Sequence, residues 1–329
     1  MIKRLVSISF VIAIILLGSC KKDKDNGPDE WAKGSDFEGA PRSAAASFII
    51  DGKIYITGGF NGEKRLNDLW MYDPKLTNWF RIAGADFPGE GRNYAVGFSV
   101  AGKGYIGTGT DGTNSLKDFY EFTPETKTWK KIADFPGEVR YGAIAFSGNG
   151  KGFVGSGTSI NGDLKDFYSY DPLLNSWTQV TSLPGSKRAY AFTFTIGEIT
   201  YVGGGSNNGA NLPDFWSYNT KNDTWSGLND LLRDDKVESN KKYHYDLRRR
   251  SAATFTIGQK AYISGGTSSG VTGTTWAYDP KIDLWEQHKD FAGVAREAAI
   301  GFGVDGKGYV TTGKNGSHFD DLWIFTPNK

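Results

Sequence analysis

The sequence predicts an all-β chain whose six four-stranded blades close into a propeller. Three observations predict it. A twelve-residue frame opens on an acid, alternates aromatics, turns at Asp-Pro and ends on Trp; it runs from Asp166 to Trp177. The frame recurs from Asp68 to Trp79, Asp118 to Trp129, Asp214 to Trp225 and Thr274 to Trp285, and a sixth copy starts at Asp321 with Trp323, Phe325 and Pro327. Upstream of each copy stands an Arg (Arg42, Arg92, Arg140, Arg188, Arg249, Arg296), with Ala three residues later and Phe six residues later in every unit. Finally, the 44 glycines cluster at the ends of short alternating runs, as tight turns between strands require. Self-similarity with a period of roughly 48 residues and four strands per unit is the mark of a propeller.

In chain order, residues 1–19 read as a leader. Lys3 and Arg4 precede an apolar run from Leu5 to Leu17, too short to span a bilayer comfortably. Leu17-Gly18-Ser19-Cys20 resembles the lipobox of bacterial lipoproteins, which implies cleavage before Cys20 and lipid on that residue. Cys20 is the only cysteine, so an intramolecular disulfide is excluded. Residues 20–29 then form the lipidated Cys and a flexible tether, since Lys21 to Pro28 carries no apolar residue. Residues 30–329 are the propeller. Without Lys3 and Arg4 the net charge falls by two from +1, and 38 Lys and Arg against 37 Asp and Glu leave no excess for nucleic acid.

Within each unit, Ala and Phe fall on opposite faces of the first strand, so a ring on one blade can meet a small side chain on its neighbour. The second strand carries an aromatic thirteen residues after the Arg (Tyr55, Tyr105, Phe153, Tyr201, Tyr262, Tyr309) and ends in Gly. All ten Trp residues occupy two repeat positions, one on the third strand and one at the start of the fourth, which marks them as core. The sixth copy lacks its Trp, and Trp31 supplies it: Trp31 to Arg42 spans the same interval as Trp129 to Arg140. The N-terminal segment is therefore the outer strand of the last blade, leaving no open edge.

Paired or near-paired Gly, then Asp, then Tyr-Asp-Pro, then Trp resembles the kelch repeat, and the match runs from residue 31 to 327. The resemblance implies a six-bladed propeller that binds ligands at one loop-rich mouth. The six Arg and the Gly/Asn loops converge there. The Arg ring has two readings: a cationic rim for carboxylates, or structural pairing with Asp68, Asp118, Asp166, Asp214 and Asp321. The fifth unit has Thr274 in place of the acid, which leaves Arg249 as the freest member, beside Arg248 and Arg250. It also follows an insertion, residues 229–248, that makes Trp225 to Arg249 thirteen residues longer than the usual spacing and carries Tyr243, His244 and Tyr245. The candidate ligand-binding residues are thus Arg249, Arg250, Tyr243, His244, Tyr245, the remaining Arg42, Arg92, Arg140, Arg188 and Arg296, and the mouth aromatics Tyr94, Tyr141 and Tyr190.

No catalytic residue, cofactor or metal site is assigned. His244, His288 and His318 lack ligand spacing. Galactose oxidase shares the propeller, but its copper site needs His ligands and a Cys-linked Tyr. Sialic acid mutarotases are further kelch relatives, and their acid/base constellation has no motif here. The expected role is a monomeric, lipid-anchored binding module of a bacterial envelope, on an outer membrane, that recognises a glycan or peptide. The alternatives are a sugar-acid mutarotase or epimerase and a structural partner of another envelope protein.

Overall fold

A computed structural model describes residues 30–237 and 241–327, with 234–237 and 241–243 described in backbone only. The leader, Cys20 and the tether lie outside the described residues. Six four-stranded antiparallel sheets form the blades. The first blade shows the plan: Ala46–Ile50 lies innermost, followed outward by Lys53–Thr57, Leu69–Asp73 and Asn78–Arg81. The ring closes as the sequence predicts. Glu30–Lys33 pairs with Leu322–Thr326, placing Trp31 opposite Phe325 as the outer strand of the sixth blade.

The Asp-Pro turn has a local cause. The Asp73 carboxylate accepts the Lys75 backbone N–H at 3.0 Å, and Asp279 does the same for Lys281 at 2.9 Å. Such an Asx turn fixes the hairpin between the third and fourth strands. The buried tyrosine hydroxyl before it then reaches across the hairpin: Tyr170 to Asn175 at 2.9 Å, Tyr218 to Asp223 at 2.7 Å and Tyr278 to Asp283 at 2.9 Å.

The core is divided among the interfaces between blades. Phe48 packs toward the second blade with Ile106 and Phe122, while Ala45 faces the sixth blade with Phe302 and Tyr309. The ring-against-small pattern holds, but Ala is only part of the small side. A Cβ on Gly104 would lie 2.2 Å from the Phe48 ring, and Gly152 and Gly308 stand under Phe98 and Phe255 in the same way. Ala45, Ala95, Ala143, Ala191, Ala252 and Ala299 also line the central channel.

The tryptophans divide by depth. Trp79, Trp285 and Trp31 are buried and the other seven are half-buried, because each sits toward the rim of its interface. Trp31 meets Phe291 edge-on at 4.9 Å, a geometry that contributes about 0.5–1.5 kcal/mol beyond area burial. Its Nε1 donates to Lys289 O at 3.1 Å, as Trp129 donates to Ala85 O and Trp177 to Ala133 O.

Candidate functional site

The conserved spacing of Arg and Asp within the units builds wall rather than rim. Arg42 places Nη1 and Nη2 on Asp68 at 2.6 and 2.8 Å; Arg92 holds Asp118, and Arg140 holds Asp166, with the same fork. Arg188 bonds Asp214, and Arg296 bonds Asp321. All five guanidinium groups are buried, and Nη1 also donates to a strand-end carbonyl such as Gly58 O at 3.0 Å. Burial alone would raise the Asp68 carboxyl, but Arg42 outweighs it and holds it below the ordinary carboxylate range; Asp118 and Asp321 are lowered likewise. The Arg backbone ties blades together as well: Gly59 N donates to Arg92 O and Gly109 N to Arg140 O, one blade to the next. Of the two readings of the ring, the pairing is what these contacts display.

Two residues beyond each Arg, the chain makes a second ring at the axis. Ala44, Tyr94, Gly142, Tyr190, Ser251 and Ala298 all have φ between 52° and 60°. Each donates its N–H to the carbonyl of the corresponding residue in the neighbouring blade: Tyr94 to Ala44, Gly142 to Tyr94, Tyr190 to Gly142, Ser251 to Tyr190, Ala298 to Ser251 and Ala44 to Ala298, at 2.8–3.1 Å. A left-handed φ costs a non-Gly residue of order 1–3 kcal/mol and persists only where surrounding structure imposes it. Here the closed circle of six bonds imposes it, and it fixes the side chains that stand over the channel.

Two of those side chains are tyrosines, Tyr94 and Tyr190, and Tyr141 joins them from the residue before Gly142. Tyr94 and Tyr190 meet at 5.0 Å, and Tyr141 lies 6.4 and 6.3 Å from them. Gly142 makes room, since a Cβ there would lie 2.7 Å from the Tyr190 ring. Burial, then Glu297, pushes the Tyr94 hydroxyl up to about 12, and burial with the neighbouring tyrosines raises Tyr190. Both hydroxyls therefore stay protonated at neutral pH and are able to donate.

Beside the trio opens a cavity of about 740 Å³ lined by Arg65, Asn93, Tyr94, Tyr141, Ser159 and Ile160 among others. Arg65 donates Nε to Asn93 Oδ1 at 2.9 Å and lies over the Phe60 ring at 5.2 Å. Glu138 accepts from Ser159 Oγ and Asn161 Nδ2 on the same side. Across the axis, Arg250 donates to Asn211 Oδ1 at 3.4 Å, and Glu297 accepts from Thr267 and faces Lys314 at 3.6 Å.

The structure thus brings Tyr94, Tyr141, Tyr190 and Arg250 to the mouth and separates them from the rest of the fifth-unit group. Arg249 is 2% exposed, in the wall between the fourth and fifth blades. Tyr245 is 4% exposed and packs toward Trp276 in the core there, while His244 is exposed on the insertion. The insertion is a hairpin of Leu232–Val237 and Lys241–Asp246; the side chain of Tyr243 lies outside the described residues. Arg65 and Asn93 are the additions that sequence reasoning missed. Both depart from the repeat at mouth positions, and that departure is the signal available for them. His318 packs on Phe60 at 5.7 Å, its pKa lowered by burial and by Lys314. Among the described residues no three His, Cys, Asp or Glu side chains cluster as metal ligands.

A family model described as the KLHDC2/KLHL20/DRC7 Kelch-repeats domain matches residues 30–139, and one described as the Kelch motif matches residues 187–232. The chain is 34% identical over 68 residues to N-acetylneuraminate epimerase of Yersinia enterocolitica (serotype O:8 / biotype 1B, strain NCTC 13174 / 8081). That stretch is 18% of this chain and 17% of the relative, so the match spans less than a fifth of the epimerase. A solved structure titled "Structure of YjhT" superimposes with a TM-score of 0.72 at 16% identity, over 89% of this chain and 97% of that one, a likeness of fold. The chain is a six-bladed β-propeller in which residues 30–139 and 187–232 match kelch-repeat models.

Proposed function

We propose that this protein is a lipid-anchored recognition module of the bacterial envelope that binds a glycan, with a preference for an anionic sugar, at the axial mouth. The observation that carries the reading is the tyrosine trio beside the Arg65–Asn93 pair. Aromatic faces stack on the apolar side of a sugar ring, and an Arg fork takes a carboxylate. The hydroxyls and amides of Asn93, Tyr94, Thr110, Asn114 and Ser159 supply hydrogen bonds to sugar hydroxyls, within a volume suited to one or two sugar rings. Calorimetric titration of the chain from residue 21 with N-acetylneuraminate, galacturonate and galactose tests it. Saturable binding of the acids above galactose is expected; no binding of any of the three contradicts it.

A second reading, an epimerase of a sugar acid, is supported by the 68-residue likeness to N-acetylneuraminate epimerase. An epimerase needs a base at the mouth; Tyr94 and Tyr190 are held protonated, so that role would fall to a carboxylate there, Glu138 or Glu297. Acceleration of N-acetylneuraminate anomer exchange, followed by NMR, would favour the enzyme. Anchoring rests on Leu17 to Cys20 and the polar tether. Cys20→Ala is expected to move the protein from the membrane fraction to the soluble one, because buried acyl chains contribute about 0.8 kcal/mol per methylene. Unchanged membrane association would contradict it.

A further inference from the structure

The fifth unit keeps the donors of the wall and lacks their acceptor. In the first unit Asp68 binds the Arg42 fork and also accepts Trp70 Nε1 at 2.7 Å; Asp214 accepts Trp216 Nε1 at 2.8 Å and Asp321 accepts Trp323 Nε1 at 2.7 Å, each beside its Arg. One carboxylate thus ties a buried cation to an indole. In the fifth unit Thr274 stands at that position. Arg249 keeps only backbone acceptors: Nε reaches Leu247 O at 3.3 Å, and Nη1 reaches Gly265 O at 3.1 Å and Thr274 O at 3.4 Å. Its side-chain hydrogen bonds run from Nε and Nη1 and none from Nη2, the atom that elsewhere meets the second carboxylate oxygen, and the buried Nε1 of Trp276 has no partner among the described residues. A pocket of about 350 Å³ lies here, lined by Asp246, Arg249, Ser268, Thr272, Thr274 and Trp276 among others.

Asp246 is the internal competitor. It stands three residues before Arg249, where the other units have Gly39, Gly89, Gly137, Gly185 and Gly293. Its carboxylate is turned to Arg248, which it binds through both oxygens at 2.9 and 2.7 Å. That pair neutralises itself, so the charge presented to the pocket is that of Arg249. Burial draws the Arg249 guanidinium down to about 10, which leaves it protonated at neutral pH. Asp246 and Asp290 act on it only at a distance; a buried guanidinium with no carboxylate in contact is costly, and an anion of the right shape relieves that cost.

We propose that this pocket is a binding slot for a small monocarboxylate, whose two oxygens take the Arg249 fork and Trp276 Nε1 in the place of the missing Asp side chain. The slot lies in the wall between the fourth and fifth blades and is separate from the axial mouth. Acetate is the probe, titrated into the protein against equal concentrations of chloride, with the tryptophan indole N–H resonances read by NMR. Trp276→Phe identifies the Trp276 signal. Acetate is expected to shift that signal saturably, while chloride does not. Thr274→Asp, which restores the internal acid, should shift it without acetate and abolish the response. Arg249→Lys keeps the charge and loses the fork, so it should weaken acetate about tenfold or more. Asp246→Asn removes a negative charge from the lining and leaves Arg248 unpaired, so it should keep the acetate response or tighten it. A wild-type signal indifferent to acetate, or equally moved by chloride, overturns the proposal. So does loss of the acetate response in Asp246→Asn, because a competitor for Arg249 cannot be needed for acetate to bind.

Discussion

The fifth unit and the other five reach the same blade with different wiring. In the other five, an Arg–Asp pair bridges the start of the first and third strands, as a two-point fork in four of them and through a single bond between Arg188 and Asp214. In four of them the guanidinium also lies over a Phe ring (Phe37, Phe87, Phe135 or Phe291) at 4.6–4.9 Å. In the fifth, Thr274 replaces the acid, His244 stands at the sequence position of the ring, and the hairpin of the insertion leads into Arg249. Trp285 Nε1 also lacks the inter-blade carbonyl that Trp129 and Trp177 find. The fold survives because the aromatic core between the fourth and fifth blades is complete without those polar ties. The difference teaches that the repeat encodes the ring redundantly, so a unit can give up its polar bolt and expose the donors to something else.

The largest effect expected concerns closure. Trp31→Ala should cost about 3–5 kcal/mol, like other buried Trp truncations. Trp129→Ala is the control, and a melting temperature unchanged by the first but lowered by the second would separate the terminal strand from the ring. Next comes the bolt itself. Arg140→Ala should cost about 3–5 kcal/mol because Asp166 is left uncompensated. Arg249→Ala should cost less, about 1–3 kcal/mol, since it abandons carbonyls and no carboxylate. Chemical denaturation of both variants measures the gap; equal losses would erase the distinction between the units.

A pH profile sharpens the same contrast. The Asp68, Asp118 and Asp321 carboxyls are lowered in the folded state, so their stabilisation is full above the unfolded carboxylate pKa of about 3.9 and is lost as pH falls through the folded values. Asp118→Asn should therefore flatten the acid limb of melting temperature against pH, and Thr274→Asp should steepen it. An acid limb indifferent to Asp118→Asn would mean that the fork contributes nothing. The smallest effect is a hydrogen bond. Trp129→Phe should lose about 0.5–1.5 kcal/mol more than Trp285→Phe, whose indole N–H has no partner to lose.

What was legible in the sequence follows from this redundancy. Six blades, the outer-strand role of Trp31 and the Arg–Asp pairing each recur in register, and recurrence averages out the noise of any one strand. The axial ring was not legible. Its positions are Ala, Tyr, Gly, Tyr, Ser and Ala, and a backbone hydrogen bond at left-handed φ places no demand on side-chain type beyond tolerating that conformation. Arg65 carries no repeat signal, because the mouth cavity is built from residues that do not recur from unit to unit. The expected cluster of Arg249 with Tyr245 at the mouth failed for a physical reason. Leu231 and Leu247 bury the base of the insertion, which draws Tyr245 into the core and leaves Arg249 in the wall.

Recognition of a sugar acid by the axial tyrosines is tested by calorimetric titration of N-acetylneuraminate into the wild-type protein, Tyr141→Ala and Thr274→Asp, each first checked for an unchanged melting profile. Tyr141→Ala is expected to weaken binding by about tenfold, in the range for losing one aromatic contact and its hydroxyl, and Thr274→Asp to leave it unchanged. Loss of binding in Thr274→Asp with Tyr141→Ala intact would contradict it and move recognition from the mouth to the wall of the fifth blade.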